Sequence, residues 1–194
     1  MSQKKVWGRI AESWSNFRQR PQKEAEWLVK LWSPGKILDV GCGNCRNLLP
    51  FSKFKCYGVD FSEDMLKQAK LYVTKHNLKV NLKVANAANL PFDNNFFDYV
   101  VSFAVLHHLK NPELAIKEIY RVLEKNGEAY ITSWNKLQLK FLFKRKETHI
   151  KWGKENRYHN FISFLEMRRM LKRTGFVILK SRMFGKNIEF LVKK

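Results

Sequence analysis

The stretch Ile37-Leu38-Asp39-Val40-Gly41-Cys42-Gly43-Asn44-Cys45 restricts the fold of this chain more than any other. An apolar run with β-branched residues, bounded by Pro34-Gly35 and by the Gly41/Gly43 pair, reads as a buried central parallel strand. The glycines let backbone approach a ligand closely at the carboxyl edge of a sheet, and a helix over Arg46 to Lys53 is expected behind them. A second strand, Lys55 to Val59, ends in Asp60. An acidic side chain at that tip is placed to hold the two hydroxyls of a nucleoside ribose.

Two nucleotide classes are excluded by the same residues. A dinucleotide fingerprint needs Gly or Ala where Arg46 stands, and no Gly-Lys-Ser/Thr follows to make a phosphate loop. The stretch resembles instead the glycine motif of class I S-adenosylmethionine methyltransferases. By that resemblance Asp39 and the loop face the methionine end of the cofactor, with Cys45 standing where a third glycine is usual. The third strand of that pattern ends in an acidic residue that accepts the adenine amino group. Here Asn86 takes the position, and its amide oxygen accepts the same bond without charge. The resemblance implies a cofactor site of Asp39, Gly41, Gly43, Asp60, Phe61, Asn86, Ala87 and Ser102.

Charge adds a partner. A net charge of +20 on 194 residues points to a polyanion, nucleic acid first and anionic membrane second. No run of apolar residues is long enough to span a membrane, and Met1 to Trp7 holds no apolar leader. Three cysteines, an odd number, suit reduced thiols and a cytoplasmic location. Cys42 and Cys45 form a C-x-x-C pair without two further ligands nearby, so no metal site is expected there.

Taken in order, two helices are expected between residues 6 and 33, broken near Pro21. A helix capped by Ser62 runs to about His76, and strands follow at Val80 to Ala85 and Phe96 to Phe103. A helix from Pro112 to Leu123 and a turn at Asn126-Gly127 lead into a fifth strand, Glu128 to Trp134. A helix at Ser163 to Arg173 and a hairpin, Val177–Arg182 with Asn187–Val192, close the chain. The expectation is one α/β domain over 1–194, a doubly wound, mostly parallel seven-stranded sheet with an antiparallel C-terminal hairpin. A basic insertion at about 136–160, without clean periodicity, mixes Lys136, Lys140, Lys144, Arg145, Lys146 and Lys151 with Trp152, Tyr158 and His159. Cations among aromatics suit phosphates and unstacked bases.

Three segments narrow the resemblance. Ile10 to Pro21, with Arg18 and Arg20, Ser102 to His108, and Trp152-Gly153 followed by Arg157-Tyr158-His159-Asn160-Phe161 are similar to the tRNA wobble-uridine (5-carboxymethyluridine) methyltransferases. That family forms a methyl ester on the carboxylate of the wobble base. The resemblance implies that Arg157 and one of His107 and His108 orient the carboxylate and base. One imidazole would pack inward while the other faces the cleft. Arg18, Arg20, Trp152, Tyr158 and His159 would contact tRNA, Tyr158 and Trp152 by walling the flipped base. It also implies a small zinc-binding activator protein added to the edge of the third strand. The competing readings are a quinone-type small-molecule methyltransferase and a non-catalytic RNA-binding module of the same fold.

Overall fold

The structure is a computed structural model that describes residues 2–141 and 143–194; the Lys140 side chain of the expected basic stretch lies outside the described residues. Helices α1 (Gln3–Phe17) and α2 (Lys23–Leu31) precede β1 (Lys36–Val40). Then come β2 (Lys55–Asp60), α3 (Glu63–Lys75), β3 (Val80–Val84), β4 (Phe97–Phe103), α4 (Pro112–Val122) and β5 (Leu123–Trp134). The chain continues through β6 (Glu147–Trp152), β7 (Glu155–Asn160), α5 (Phe164–Thr174), β8 (Val177–Arg182) and β9 (Asn187–Lys193).

Seven strands form one sheet in the order β3-β2-β1-β4-β5-β9-β8, parallel from β3 to β5 and antiparallel at β9. This is the doubly wound sheet with a C-terminal hairpin that the sequence pattern implies. Each central strand feeds both faces through its two-residue alternation. Leu38, Val40 and Val100 pack with Ile116 and Ile119 of α4 and Met167 and Leu171 of α5. Ile37 and Val101 pack on the other face with Leu28 of α2 and with Leu66 and Ala69 of α3. Chain direction across the sheet reverses between β1 and β4, and at such a switch point the loops part and leave a crevice.

The helix ends follow from local chemistry. Ser62 Oγ accepts the Met65 N–H at 3.3 Å to start α3. Ser163 and Glu166 satisfy each other's backbone N–H groups at the start of α5, a pairing that stabilises a helix by about 1 kcal/mol. Gly175, at φ +105°, ends α5 in the left-handed region.

Three expectations are corrected. The segment behind the glycine turn is a 3₁₀ turn over Arg46–Phe51 that contains Pro50, not a helix to Lys53. β5 starts at Leu123, which pairs with Phe97. Asn126, at φ +68°, and Gly127 lie in an irregularity of the ladder instead of preceding the strand. The insertion, read as lacking periodicity, contains a regular hairpin, β6–β7, turned at Gly153-Lys154 with Gly153 at φ +57°. Its signal was present. Thr148, Ile150 and Trp152 alternate with exposed Glu147, His149 and Lys151. The hairpin and α1 lie together, with Trp152 and Trp14 packed against Trp7, Ile10, Ala11 and Met65.

Among the described residues no helix is long and apolar enough to cross a membrane.

Candidate active site

A cleft of about 1300 Å³ opens at the carboxyl edge of the sheet. Gly41, Gly43, Asp60, Phe61 and Ala87 line one part of it. The turn needs its glycines. Gly41 is at φ +74°, and a Cβ there would lie 2.5 Å from Val105 Cγ2; one at Gly43, φ +57°, would lie 2.9 Å from the Trp14 ring. Cys45 also adopts a left-handed conformation, φ +65°, which accounts for the glycine usual at that place. Asp60 closes the turn, with Oδ2 accepting the Gly43 N–H at 3.1 Å and Oδ1 accepting the Ser62 N–H at 3.0 Å. Burial pushes its pKa up to about 6, against the lowering pull of N–H groups from Ser62, Gly43 and Phe61.

Beneath the turn sits Asp39, fully buried, with no hydrogen bond to either carboxylate oxygen. Burial raises its pKa to about 7, opposed by Arg46 and reinforced by Asp60. Arg46 lines the cleft; Nη1 donates to the Arg20 carbonyl and Nε has no partner. Burial, then the charge of Arg18, pushes the Arg46 pKa down to about 10. Arg46, on the cleft wall with unused bonding capacity, suits the carboxylate of an amino-acid zwitterion, and the buried Asp39 carboxyl beneath the turn favours its ammonium by charge. The spare lone pairs of Asp60 suit two ribose hydroxyls. The residues therefore fit S-adenosylmethionine. In the sequence Arg46 serves only to exclude a dinucleotide, although its place directly after the glycine turn already marks it as a cofactor neighbour.

The other part of the cleft is lined by Trp7, His107, His108, Trp134, Arg157 and Tyr158. Arg157 is 5% exposed, and its guanidinium carbon lies 5.6, 5.8 and 5.1 Å from the ring centres of Trp7, Trp134 and Trp152. No carboxylate pairs with it among the described residues, and Nε has no hydrogen-bond partner. Burial, then Arg18, pushes its pKa down to about 10. Three aromatic faces partly replace the lost hydration of this cation.

The two histidines are not equivalent. His107 is fully buried; its Nδ1 takes the Trp134 N–H at 3.2 Å and lies 3.3 Å from Ser133 Oγ. His108 is partly exposed, and its Nδ1 bonds the Tyr158 carbonyl at 2.9 Å. Burial holds both rings well below the usual imidazole pKa, with neighbouring imidazoles and Arg157 acting in the same direction. Both are neutral near pH 7.

The remaining expected residues are placed as follows. Arg18 lines the cleft, 5.1 Å above the Phe17 ring, whereas Arg20 is exposed. Trp152 donates Nε1–H to Ser13 Oγ at 3.1 Å and packs edge-on against Phe17. Tyr158 is buried, with burial and Glu147 pushing its pKa up to about 12. His159 is fully buried behind His108, its Nδ1 on the Arg157 carbonyl at 3.0 Å. Ser102 is buried in β4, its Oγ without a partner. Asn86 is exposed on the cleft wall; its Oδ1 accepts the Ala88 N–H at 3.0 Å and keeps a second lone pair.

Residues 38–131 match the family described as methyltransferase domain. The tRNA (carboxymethyluridine(34)-5-O)-methyltransferase of Saccharomyces cerevisiae is 34% identical over 67% of this chain and 47% of its own length, so the chain spans less than half of that relative. The demethylmenaquinone methyltransferase of Staphylococcus haemolyticus is 30% identical over 77% of this chain and 71% of its own. Among solved structures, an S-adenosylmethionine-dependent methyltransferase from Methanosarcina mazei superposes with a TM-score of 0.76 at 21% identity. It covers 87% of this chain and 96% of its own, and it carries the fold alone.

Proposed function

We propose, from the premise that this chain belongs to the S-adenosylmethionine-dependent methyltransferases of the methyltransferase-domain family, that it esterifies the carboxylate of 5-carboxymethyluridine at the tRNA wobble position. The observation that carries this reading is Arg157: a buried guanidinium among three tryptophans, open to the cleft and without an acidic partner among the described residues. A buried cation of this kind asks for an anion, and two N–H groups of its planar fork can converge on one carboxylate oxygen.

When bound, S-adenosylmethionine supplies a sulfonium-activated methyl group. The acceptor needs no base, because a carboxylate is already ionised near neutral pH. The carboxylate would take that methyl group from the sulfonium with no proton to be moved, so no side chain of this chain is required as a general base. The residues of this chain contribute position and exclusion of water. Arg157 holds the acid through one oxygen so that the other remains nucleophilic. Tyr158 walls the base, Trp152 backs the Arg157 guanidinium, and His107 braces His108 from behind, their ring centres 4.2 Å apart. Arg18 and Lys110 of the cleft, with exposed Lys144, Arg145, Lys146, Lys151 and Lys154, meet the phosphates. The activator partner belongs to the same reading. β3 is an edge strand with half-buried Val80 and Leu82, open to β-addition.

The test is transfer of labelled methyl to bulk tRNA, followed by nucleoside analysis. The reading requires a base-labile ester on a wobble uridine that Asp60→Ala abolishes. A base-stable product elsewhere in the tRNA overturns it.

One observation favours a second reading, a quinone-type acceptor. Leu139 and Phe143 are 89% and 97% exposed, on the segment that follows Gln138 of the cleft wall. Salt separates the two readings, since only tRNA binding should weaken steeply as salt rises.

A further inference from the structure

His107, His108 and His159 offer three ring nitrogens within 4.8 Å of one another, an arrangement that could hold a metal ion. The hydrogen bonds oppose that use. The Trp134 N–H donates to His107 Nδ1, so the neutral ring carries its proton on Nε2 and has no lone pair there for a metal. His108 has the opposite tautomer. Its Nδ1 faces the Tyr158 carbonyl, which can only accept, so Nδ1 carries the proton and Nε2 carries the lone pair.

We propose that His108 Nε2 accepts a hydrogen bond from the imide N3–H of the uracil-type base, while Arg157 takes that base's carboxylate. The proposal rests on the tRNA reading above and assigns the two ends of the acceptor to two groups. Arg157 and Tyr158 are neighbours on β7, and the Tyr158 carbonyl fixes the His108 ring. Cation and lone pair are therefore held from one strand. Trp7 lies against both, its ring centre 4.9 Å from that of His108 and 5.6 Å from the Arg157 guanidinium. The ring stays neutral because most of it is withdrawn from water and because His159 and Arg157 disfavour a further positive charge.

The lone pair sorts ligands. A carboxylate oxygen at Nε2 would set lone pair against lone pair, so the acid is directed to Arg157. A cytosine in the same seat would present its N3 lone pair and be rejected, whereas the uracil imide N–H is the complement. A neutral acceptor here also leaves the carboxylate's nucleophilic oxygen without a second donor that would lower its reactivity.

The test uses two synthetic anticodon stem-loops carrying 5-carboxymethyluridine at the wobble position, one with N3–H and one N3-methylated. Wild type, His108→Leu and His108→Gln are compared, with cofactor binding as the check on folding. N3-methylation should lower wild-type kcat/KM by about tenfold to a hundredfold, the worth of one buried hydrogen bond. His108→Leu should cost about as much on the N3–H substrate, and the two losses should not add. Gln, whose side-chain oxygen can accept, should recover part of the loss on the N3–H substrate only. Additive losses, a wild type indifferent to N3-methylation, or equal failure of Gln and Leu overturns the proposal. A wild type that binds cofactor and methylates neither stem-loop overturns the tRNA reading as well.

Discussion

Asp39 gives a prediction that can be worked through from its surroundings. The carboxyl is fully buried with both oxygens unpaired, and burial raises its pKa from 3.8 to about 7. Below the unfolded value the group is neutral in both states and costs folding nothing. As pH rises the unfolded chain ionises first, so stability drains away until pH passes the folded value near 7. Each unit is worth about 1.4 kcal/mol, so the ceiling between about pH 5 and about pH 8 is about 3 kcal/mol. Relaxation around the charge brings the expected loss to about 1–3 kcal/mol. Asp39→Asn keeps the shape and removes the titration. Denaturant unfolding across that range should show the variant gaining on wild type by this amount as pH rises, whatever its absolute stability. A saturating cationic cofactor should stabilise both folded proteins by mass action, with the gain for wild type rising with pH more than the gain for the variant. Parallel stability profiles for the two proteins would refute the reasoning.

Further predictions concern the acceptor end and the turn. Arg157→Met should leave unfolding stability nearly unchanged, because no ion pair is broken, while kcat/KM for methyl transfer falls about a hundredfold. Arg157→Lys should recover only a small part, since an ammonium lacks the planar fork; steady-state kinetics beside thermal unfolding separates the effects. Gly41→Ala, placing a Cβ 2.5 Å from Val105 Cγ2 at φ +74°, should destabilise the protein by about 2 kcal/mol or more and weaken cofactor binding. Adding Val105→Ala should relieve the clash but not the backbone strain, so recovery measured by denaturation is partial.

Legibility in the sequence followed the range of the physics. β1 and β2 were readable because an apolar run ending in paired glycines or in a lone Asp is local chemistry; Asp60 indeed holds the Gly43 N–H. The α3 cap was readable from Ser62. The β6–β7 hairpin was missed because its basic residues dominate the composition and mask the weaker alternation of Thr148, Ile150 and Trp152. The start of β5 was misplaced because Asn-Gly usually ends a segment, and only pairing of Leu123 with Phe97 shows the strand passing through it. At the site, one buried and one cleft-facing histidine was expected, but which is which depends on Trp134 N–H and Tyr158 C=O, distant in sequence. The cage around Arg157 draws on Trp7, Trp134 and Trp152 from three elements, and no spacing rule unites them.

The most direct measurement of the central claim is methyl transfer to anticodon stem-loops that differ only in whether the wobble uridine carries the carboxymethyl group, with a demethylated quinol alongside. The account predicts gain of one methyl group on the carboxymethyl stem-loop alone, reversed by mild base and lost with Arg157→Met. Transfer to the quinol with neither stem-loop modified, or equal transfer to both stem-loops, would contradict it.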